Sequence, residues 1–213
     1  FYSKLNNVKT VDIIPELESE NDGYLYYRTD HHWTTNGAFI AYNKLAEVMG
    51  LSKFDKNDFN VETVSDSFEG TLYSKTLDKS VTPDSIILYK YKNGENLTIE
   101  DENGVSDFYK YDKLDEKDKY LFFGGENKGV ETVRSNIKNG RRLLLIKDSY
   151  ANSVIPFLAL NYEEITSLDL RYATASVMKS IDKSSYDEIL FLYNCGGFSA
   201  ETSLSKLMIA SAS

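Results

Sequence analysis

The chain has 213 residues, of which 41% are hydrophobic and 27% charged, so it can bury the core of one soluble α/β domain. Its formal net charge of −9 argues against a nucleic-acid partner, because phosphate binding needs a basic face and no stripe of Lys and Arg is present. The single cysteine, Cys195, excludes an internal disulfide and a Cys-rich zinc site, and no apolar run approaches the roughly 18–20 residues that cross a bilayer.

The N-terminal segment leads into a polar cluster, Asp-His-His-Trp, at positions 30–33. Alternating β-branched residues over positions 8–14 predict a strand ahead of this cluster. After it, apolar residues recur at helical spacing, which predicts a helix that begins with Thr34 or Thr35 as N-cap and ends at Gly50. The polar cluster is therefore expected just before a helix N terminus.

The middle of the chain, residues 60–139, is typical of antiparallel hairpins. Short apolar stretches such as 86–89 and 120–123 are separated by acidic runs and by turns that contain glycine, including Asn103-Gly104. We interpret this stretch as a β-rich insertion within a single domain that spans residues 1–213.

The last third of the chain alternates between predicted strands and helices. Strands are expected at 142–146, 164–170 and 188–193, and helices at 151–160 and 175–181. This order predicts a parallel, right-handed, doubly wound sheet with helices on both faces. Ligands of such sheets bind at the carboxyl ends of the strands, where Ser149, Arg171 and Asn194 are expected.

Asp30 and His32 form the candidate base of the site. In an extended segment, residues two positions apart share a face, so Asp30 could orient His32 while His31 points away. The alternative is that the three side chains merely cap the helix that follows.

Three further residues have possible roles in chemistry, each with a simpler alternative. Ser149, at a strand-to-helix junction, is the candidate nucleophile, although serine is also a common N-cap. The amide of Asn194 could stabilise an oxyanion or only form a turn. Arg171 could bind an anionic group of a substrate or only pair with Asp169.

A metal site is the rival use of Asp30, His31 and His32. Alternating faces would keep the two histidines from one ion, and the chain has no other histidine to complete a coordination shell. We therefore predict neither a metal nor another cofactor.

The run from Tyr26 to Ala38, which contains the Asp-His-His-Trp cluster, resembles the signature of the DHHW protein family. That family is similar to the alginate O-acetyltransferases, which have an SGNH-hydrolase-like fold. The resemblance implies a flavodoxin-like α/β fold in circularly permuted order, with one more strand and helix before Phe1. Lys147-Asp148-Ser149 resembles the Gly-Asp-Ser block of that superfamily.

The resemblance also implies roles for the candidate residues. Asn194 matches the block-three asparagine, Arg171 resembles an active-site arginine of the alginate enzymes, and Gly70 and Gly124 are poor candidates for the block-two glycine. Asp30, His32 and Ser149 would form a catalytic triad.

The activity implied is transfer of an acyl group, such as acetyl, to a polysaccharide or other glycan outside the cytoplasm, with a possible integral-membrane acyl-transfer partner. Two alternatives stay open. One is a carbohydrate acetyl esterase, and the other is a non-catalytic module for polysaccharide binding or assembly.

Overall fold

The computed structural model describes residues 5–20 and 23–207, and its centre is a six-stranded sheet. The strands are β1 (Phe59–Phe68), β2 (Asp84–Tyr91), β3 (Thr98–Asp101), β4 (Gly104–Asp107), β5 (Val130–Arg134), β6 (Arg142–Lys147), β7 (Glu164–Leu168) and β8 (Glu188–Leu192). The central sheet has the order β4-β3-β5-β7-β6-β8, and β1 pairs with β2 in a separate two-stranded sheet.

Strands β6, β7 and β8 form the parallel part of the sheet. β6 lies between β7 and β8 and runs parallel to both. Five of its six residues are buried, as expected for an apolar strand covered on both faces. Leu143 and Leu145 pack in one hydrophobic cluster, whereas Leu144 and Ile146 pack in another. The three strands predicted for the last third of the chain are confirmed, with slightly shorter bounds for two of them.

The other half of the sheet is antiparallel, so the prediction of a parallel sheet is correct for three strands only. β5 pairs antiparallel with β7 and β3, and β3 pairs antiparallel with β4. These strands lie within residues 60–139, and they extend the central sheet. The short Glu102–Asn103 connection can join β3 and β4 only as an antiparallel hairpin, whereas the pairings of β5 with β3 and β7 join segments far apart in the sequence.

The helix predicted after the polar cluster is confirmed as α2. The helices are α1 (Ile14–Ser19), α2 (Thr35–Met49), α3 (Thr71–Thr76), α4 (Ile155–Leu158), α5 (Ala175–Ser180) and α6 (Cys195–Ala200). Thr34 is the N-cap of α2, and Gly50 ends it in the left-handed conformation at φ 72°. The apolar face of α2 packs into the same cluster as Leu143 and Leu145, so the helix covers one face of the sheet. None of the helices in the described ranges is long and apolar enough to span a bilayer.

Three predicted elements differ in the structure. Residues 8–13 form no strand, and α1 begins at Ile14 because Pro15 favours a first helical turn. The apolar run at 120–123 lies largely in a 3₁₀ turn, Lys119–Phe122, which the Asp118 side chain caps. The helix predicted at 151–160 is only α4, since Pro156 cannot lie inside a longer helix.

Candidate active site

Two loops bring the candidate residues together at the carboxyl end of β6. Tyr26 and Trp33 form an antiparallel bridge, and the residues between them make a tight loop just before α2. Ser149 lies two residues beyond the end of β6 and opens a 3₁₀ turn, Ser149–Ala151. The loop places His32 directly against that turn, although the two residues are 117 positions apart in the sequence.

Asp30, His32 and Ser149 are hydrogen bonded in series. The distance from Asp30 Oδ1 to His32 Nδ1 is 2.6 Å, and that from His32 Nε2 to Ser149 Oγ is 2.8 Å. An ionised carboxylate can only accept, so His32 Nδ1 carries the proton and Nε2 is left to accept from the Ser149 hydroxyl. Asp30 and His32 are almost completely buried, and Ser149 is partly exposed. The site is therefore arranged so that His32 can take a proton from Ser149.

The second oxygen of Asp30 is held by Thr71. Asp30 Oδ2 accepts from the Thr71 backbone N–H and hydroxyl, each at 2.9 Å. Gly70 lies so close that a Cβ atom there would be 2.4 Å from the Cβ of Asp30. The chain from β1 into α3 thus closes over Asp30. The sequence missed Thr71 and gave Gly70 only as a poor candidate for the block-two glycine, since no local pattern connects either residue with the polar cluster.

Burial and hydrogen bonding have opposing effects on the pKa values of Asp30 and His32. Burial alone would raise the pKa of Asp30, but interactions with the His31 and His32 rings outweigh it and lower that pKa well below the usual range. Burial lowers the pKa of His32 below its ordinary 6.5, and the Asp30 carboxylate only partly offsets this. At neutral pH the site therefore holds an ionised Asp30 and a neutral His32, as a general base requires.

His31 does not point away from the site, so the prediction from alternating faces is wrong on this point. The His31 and His32 ring centroids are 3.9 Å apart, and His31 Nδ1 lies 2.7 Å from Thr71 Oγ1. Residues 28–32 form successive bends, and the two-residue alternation of a strand does not apply to them. Since the Thr71 hydroxyl donates its one proton to Asp30, His31 Nδ1 is the donor to Thr71.

Asp30, His31 and His32 lie close enough together that a shared metal ion is an alternative to the hydrogen-bonded series. One ligand atom from each residue can be chosen so that all three lie within 4.8 Å of one another. However, Asp30 and Ser149 already engage both ring nitrogens of His32, so an ion would have to displace one of them. The donor set fits a hydrogen-bonded triad better than a metal centre.

Asn194 and Arg171 both lie near Asp148, the residue before Ser149. Asp148 Oδ2 accepts from the backbone N–H and the side-chain Nδ2 of Asn194, at 3.0 and 2.7 Å. Arg171 donates to both carboxylate oxygens of Asp169, at 2.9 and 2.6 Å. This ion pair with Asp169 is the simpler of the two roles predicted for Arg171. Asn194 thus fixes the start of the Ser149 turn, while the oxyanion and substrate roles of Asn194 and Arg171 stay predictions.

Aromatic side chains that sequence reasoning left unassigned enclose the site. The Tyr120 ring stacks on His32, with centroids 3.8 Å apart and an interplanar angle of 6°. Trp33 Nε1 donates to Tyr150 O and to Ser153 Oγ, both at 3.0 Å. The tyrosines of the chain were too numerous for the sequence to single out Tyr120 or Tyr150.

These features define an α/β protein with a Ser–His–Asp hydrogen-bonded site at the carboxyl end of a parallel strand. The chain belongs to the DHHW protein family, whose family model matches residues 1–168. The resemblance of the cluster at positions 30–33 to the signature of that family is therefore confirmed.

Solved structures with the same fold include another member of this family. A DHHW family protein from Eubacterium siraeum superposes with a TM-score of 0.76 at 26% identity, covering 96% of this chain and 70% of that one. Bacillus cereus PatB1, solved with a sulfonyl adduct, has a TM-score of 0.70 at 20% identity, with 92% and 71% covered. The O-acetyltransferase domain of Pseudomonas putida AlgJ is a weaker match, with a TM-score of 0.47, 15% identity, and 97% and 68% covered. Among curated proteins, none matches the chain.

Proposed function

We propose that the chain is a serine-dependent O-acyltransferase, with Asp30, His32 and Ser149 as its catalytic triad. The observation that carries this proposal is the unbroken series of short hydrogen bonds from Asp30 through His32 to the Ser149 hydroxyl. A helix-capping role explains this geometry less well, because it would not require His32 to contact Ser149.

The reaction proceeds in two steps, acylation of Ser149 and transfer of the acyl group to an acceptor hydroxyl. In the first step, Ser149 Oγ attacks the carbonyl carbon of an acyl ester or thioester while its proton passes to His32 Nε2. The leaving oxygen or sulfur departs with that proton, and an acyl-Ser149 ester remains. In the second step, His32 takes the proton of an acceptor hydroxyl, the acceptor oxygen attacks the ester, and the proton returns to Ser149.

Asp30 and the start of the Ser149 turn stabilise the charges that develop. The buried carboxylate of Asp30 stabilises the imidazolium form of His32. We assign the oxyanion to the Ser149 backbone N–H, which opens a 3₁₀ turn and has no acceptor in the described part of the chain. The side-chain amide of Asn194 has two N–H groups, and one of them donates to Asp148. The other N–H is the second candidate donor to the oxyanion.

We further propose that the acceptor is a polysaccharide or other glycan outside the cytoplasm, supplied with acyl groups by an integral-membrane partner. The family resemblance supports this assignment, and the partly exposed rings of Tyr26 and Tyr150 offer surfaces that sugars can stack on. A bound sugar hydroxyl can attack the acyl-Ser149 ester in preference to water, since a bound acceptor can reach effective molarities of about 10⁵ M or more.

The test is to follow released acetate and acetylated glycan together, using an acetyl ester donor and candidate polysaccharides. Ser149→Ala should abolish both products, whereas Ser199→Ala, at an exposed serine of α6, should leave both unchanged. Glycan-dependent product formation that exceeds hydrolysis supports the transferase. Rapid acetate release that no glycan diminishes would favour the esterase, and the lack of any Ser149-dependent product would favour a binding module.

A further inference from the structure

Tyr120 contacts both the base and the nucleophile of the site. Its ring lies parallel to the His32 imidazole, with the centroids 3.8 Å apart. Its hydroxyl lies 3.1 Å from the carbonyl oxygen of Ser149, and its side chain is buried. One residue, from the 3₁₀ turn Lys119–Phe122, therefore bridges two loops that are far apart in the sequence.

The hydrogen bonds of this hydroxyl can have only one direction. A carbonyl oxygen only accepts, so Tyr120 must donate its proton to Ser149. Ser153 Oγ lies 3.2 Å from the Tyr120 hydroxyl and must then donate to it. Ser153 Oγ in turn accepts from Trp33 Nε1 at 3.0 Å. The result is an ordered series from Trp33 through Ser153 and Tyr120 to the backbone of Ser149.

The geometry points to Tyr120 as a positioning residue for the His32–Ser149 pair, acting through two separable contacts; the inference rests on the proposed function. The ring fixes the orientation of the imidazole plane. The hydrogen bond to Asp30 alone would restrain rotation of the imidazole only in part. The hydroxyl holds the turn that presents Ser149 Oγ. Misplacement of reacting groups by about 1 Å can cost about 10²-fold in rate, so both contacts bear on the reaction.

The ring contact has an electrostatic consequence as well. The face of an aromatic ring attracts a cation, so the Tyr120 face stabilises the imidazolium form of His32. Phenylalanine at position 120 would keep this effect and lose only the hydroxyl. An aliphatic side chain would lose both the aromatic face and the hydroxyl, and the pKa of His32 would fall further.

The experiment compares Tyr120→Phe with Tyr120→Leu in two measurements. The first is the rate at which phenylmethylsulfonyl fluoride modifies Ser149, followed by intact mass against pH. The second is an NMR titration of His32 in a His31→Gln background, which leaves one histidine in the chain. Tyr27→Phe is the matched control, because Tyr27 is buried beside Tyr120 and its hydroxyl has no partner among the described residues.

Tyr120→Phe should slow sulfonylation roughly 2–10-fold and leave the His32 titration unchanged, as expected for the loss of one neutral hydrogen bond. Tyr120→Leu should slow it by about 100-fold or more and move both the acidic limb of the rate and the His32 midpoint to lower pH. The control variant should match the wild type in both measurements.

Equal rates and equal His32 midpoints in the wild type, Tyr120→Phe and Tyr120→Leu would overturn the inference. If Tyr120→Leu does not fold, by circular dichroism, Tyr120→Met replaces it as the variant without a ring. If wild-type Ser149 does not react at all, the proposed function fails. The titration then decides about Tyr120 alone, since an unchanged His32 midpoint without the ring would exclude the contact.

Discussion

Asp30 accepts hydrogen bonds on both carboxylate oxygens, two from His32 and two from Thr71. The position of Asp30 is therefore fixed both by its own loop and by the start of α3, which lies about 40 residues further along the chain. Because Asp30 accepts the Nδ1 proton of His32, Nε2 is the nitrogen that faces the Ser149 hydroxyl as an acceptor.

Asp30→Asn should lower kcat/KM by about 10⁴-fold, because an amide can favour the wrong tautomer of His32. The fold should survive, since the amide keeps the volume of the carboxylate. The measurement is the rate of acetyl ester turnover together with circular dichroism. A loss of less than tenfold would mean that Asp30 does not orient the base.

Thr71→Val removes the hydroxyl that Asp30 and His31 share. Hydrogen bonds to charged groups contribute about 1.5–3 kcal/mol, so stability or activity should fall by that order. Thr71→Ser keeps the hydroxyl and is the matched control. The measurements are acetyl ester turnover and urea denaturation. A Thr71→Val variant that matches the wild type in both, or an equal loss in Thr71→Ser, would mean that the hydroxyl of Thr71 is not what supports Asp30.

The pH dependence follows from the depressed pKa of His32. A base acts only when neutral, so kcat/KM should rise as pH increases through that pKa, with a midpoint below 6.5. The Asp30 carboxylate raises the pKa of His32, and Asp30→Asn should therefore move the residual acidic limb to still lower pH. A pH–rate profile checks both statements, and a midpoint above 6.5 would contradict them.

At the scale of elements, the N-terminal end of α2 lies next to the site and its C-terminal end lies far from it along the helix. Its N-cap, Thr34, follows Trp33 directly, whereas its last turn ends at Gly50, 15 residues of helix away. Strain at the end of the helix should therefore affect stability without affecting chemistry.

Gly50→Ala tests this separation. The new Cβ would meet nothing within 4 Å, but φ is 72°, so the cost is the left-handed backbone, about 1 kcal/mol. Urea denaturation should show that loss in the free energy of unfolding while kcat/KM stays unchanged. A fall in kcat/KM at full folding would mean that the helix transmits strain to His32.

At the scale of the whole molecule, the central sheet combines strands from the middle and the end of the chain. β5 and β3 share a continuous ladder with β7, which in turn pairs with β6. The description of residues 60–139 as a distinct insertion stays a prediction, and hydrogen exchange can test it.

The amides of β5 should exchange together with those of β6 and β7, because opening the shared ladder breaks all of them. The edge strands β4 and β8 should exchange earlier. Mass-spectrometric exchange at peptide resolution checks this order. Exchange of β3 and β5 as a block well before β6 would show that this half of the sheet opens independently.

The sequence by itself determined the parallel strands, helix α2 and the positions of Asp30, His32 and Ser149. Each has a local signal, such as the apolar run that becomes β6, the helical spacing before Gly50, or the polar cluster at positions 30–33. Local signals failed where proline or a short turn decided the outcome, as in α1, α4 and the 3₁₀ turn before Phe123.

Only the tertiary structure decided which residues surround the triad. Thr71 and Tyr120 meet Asp30 and His32 because α3 and the 3₁₀ turn Lys119–Phe122 pack against the loop before α2. The antiparallel half of the sheet is likewise a matter of long-range pairing. Periodicity reports which face of an element is buried, but the partner that buries it is chosen by packing between segments distant in the chain.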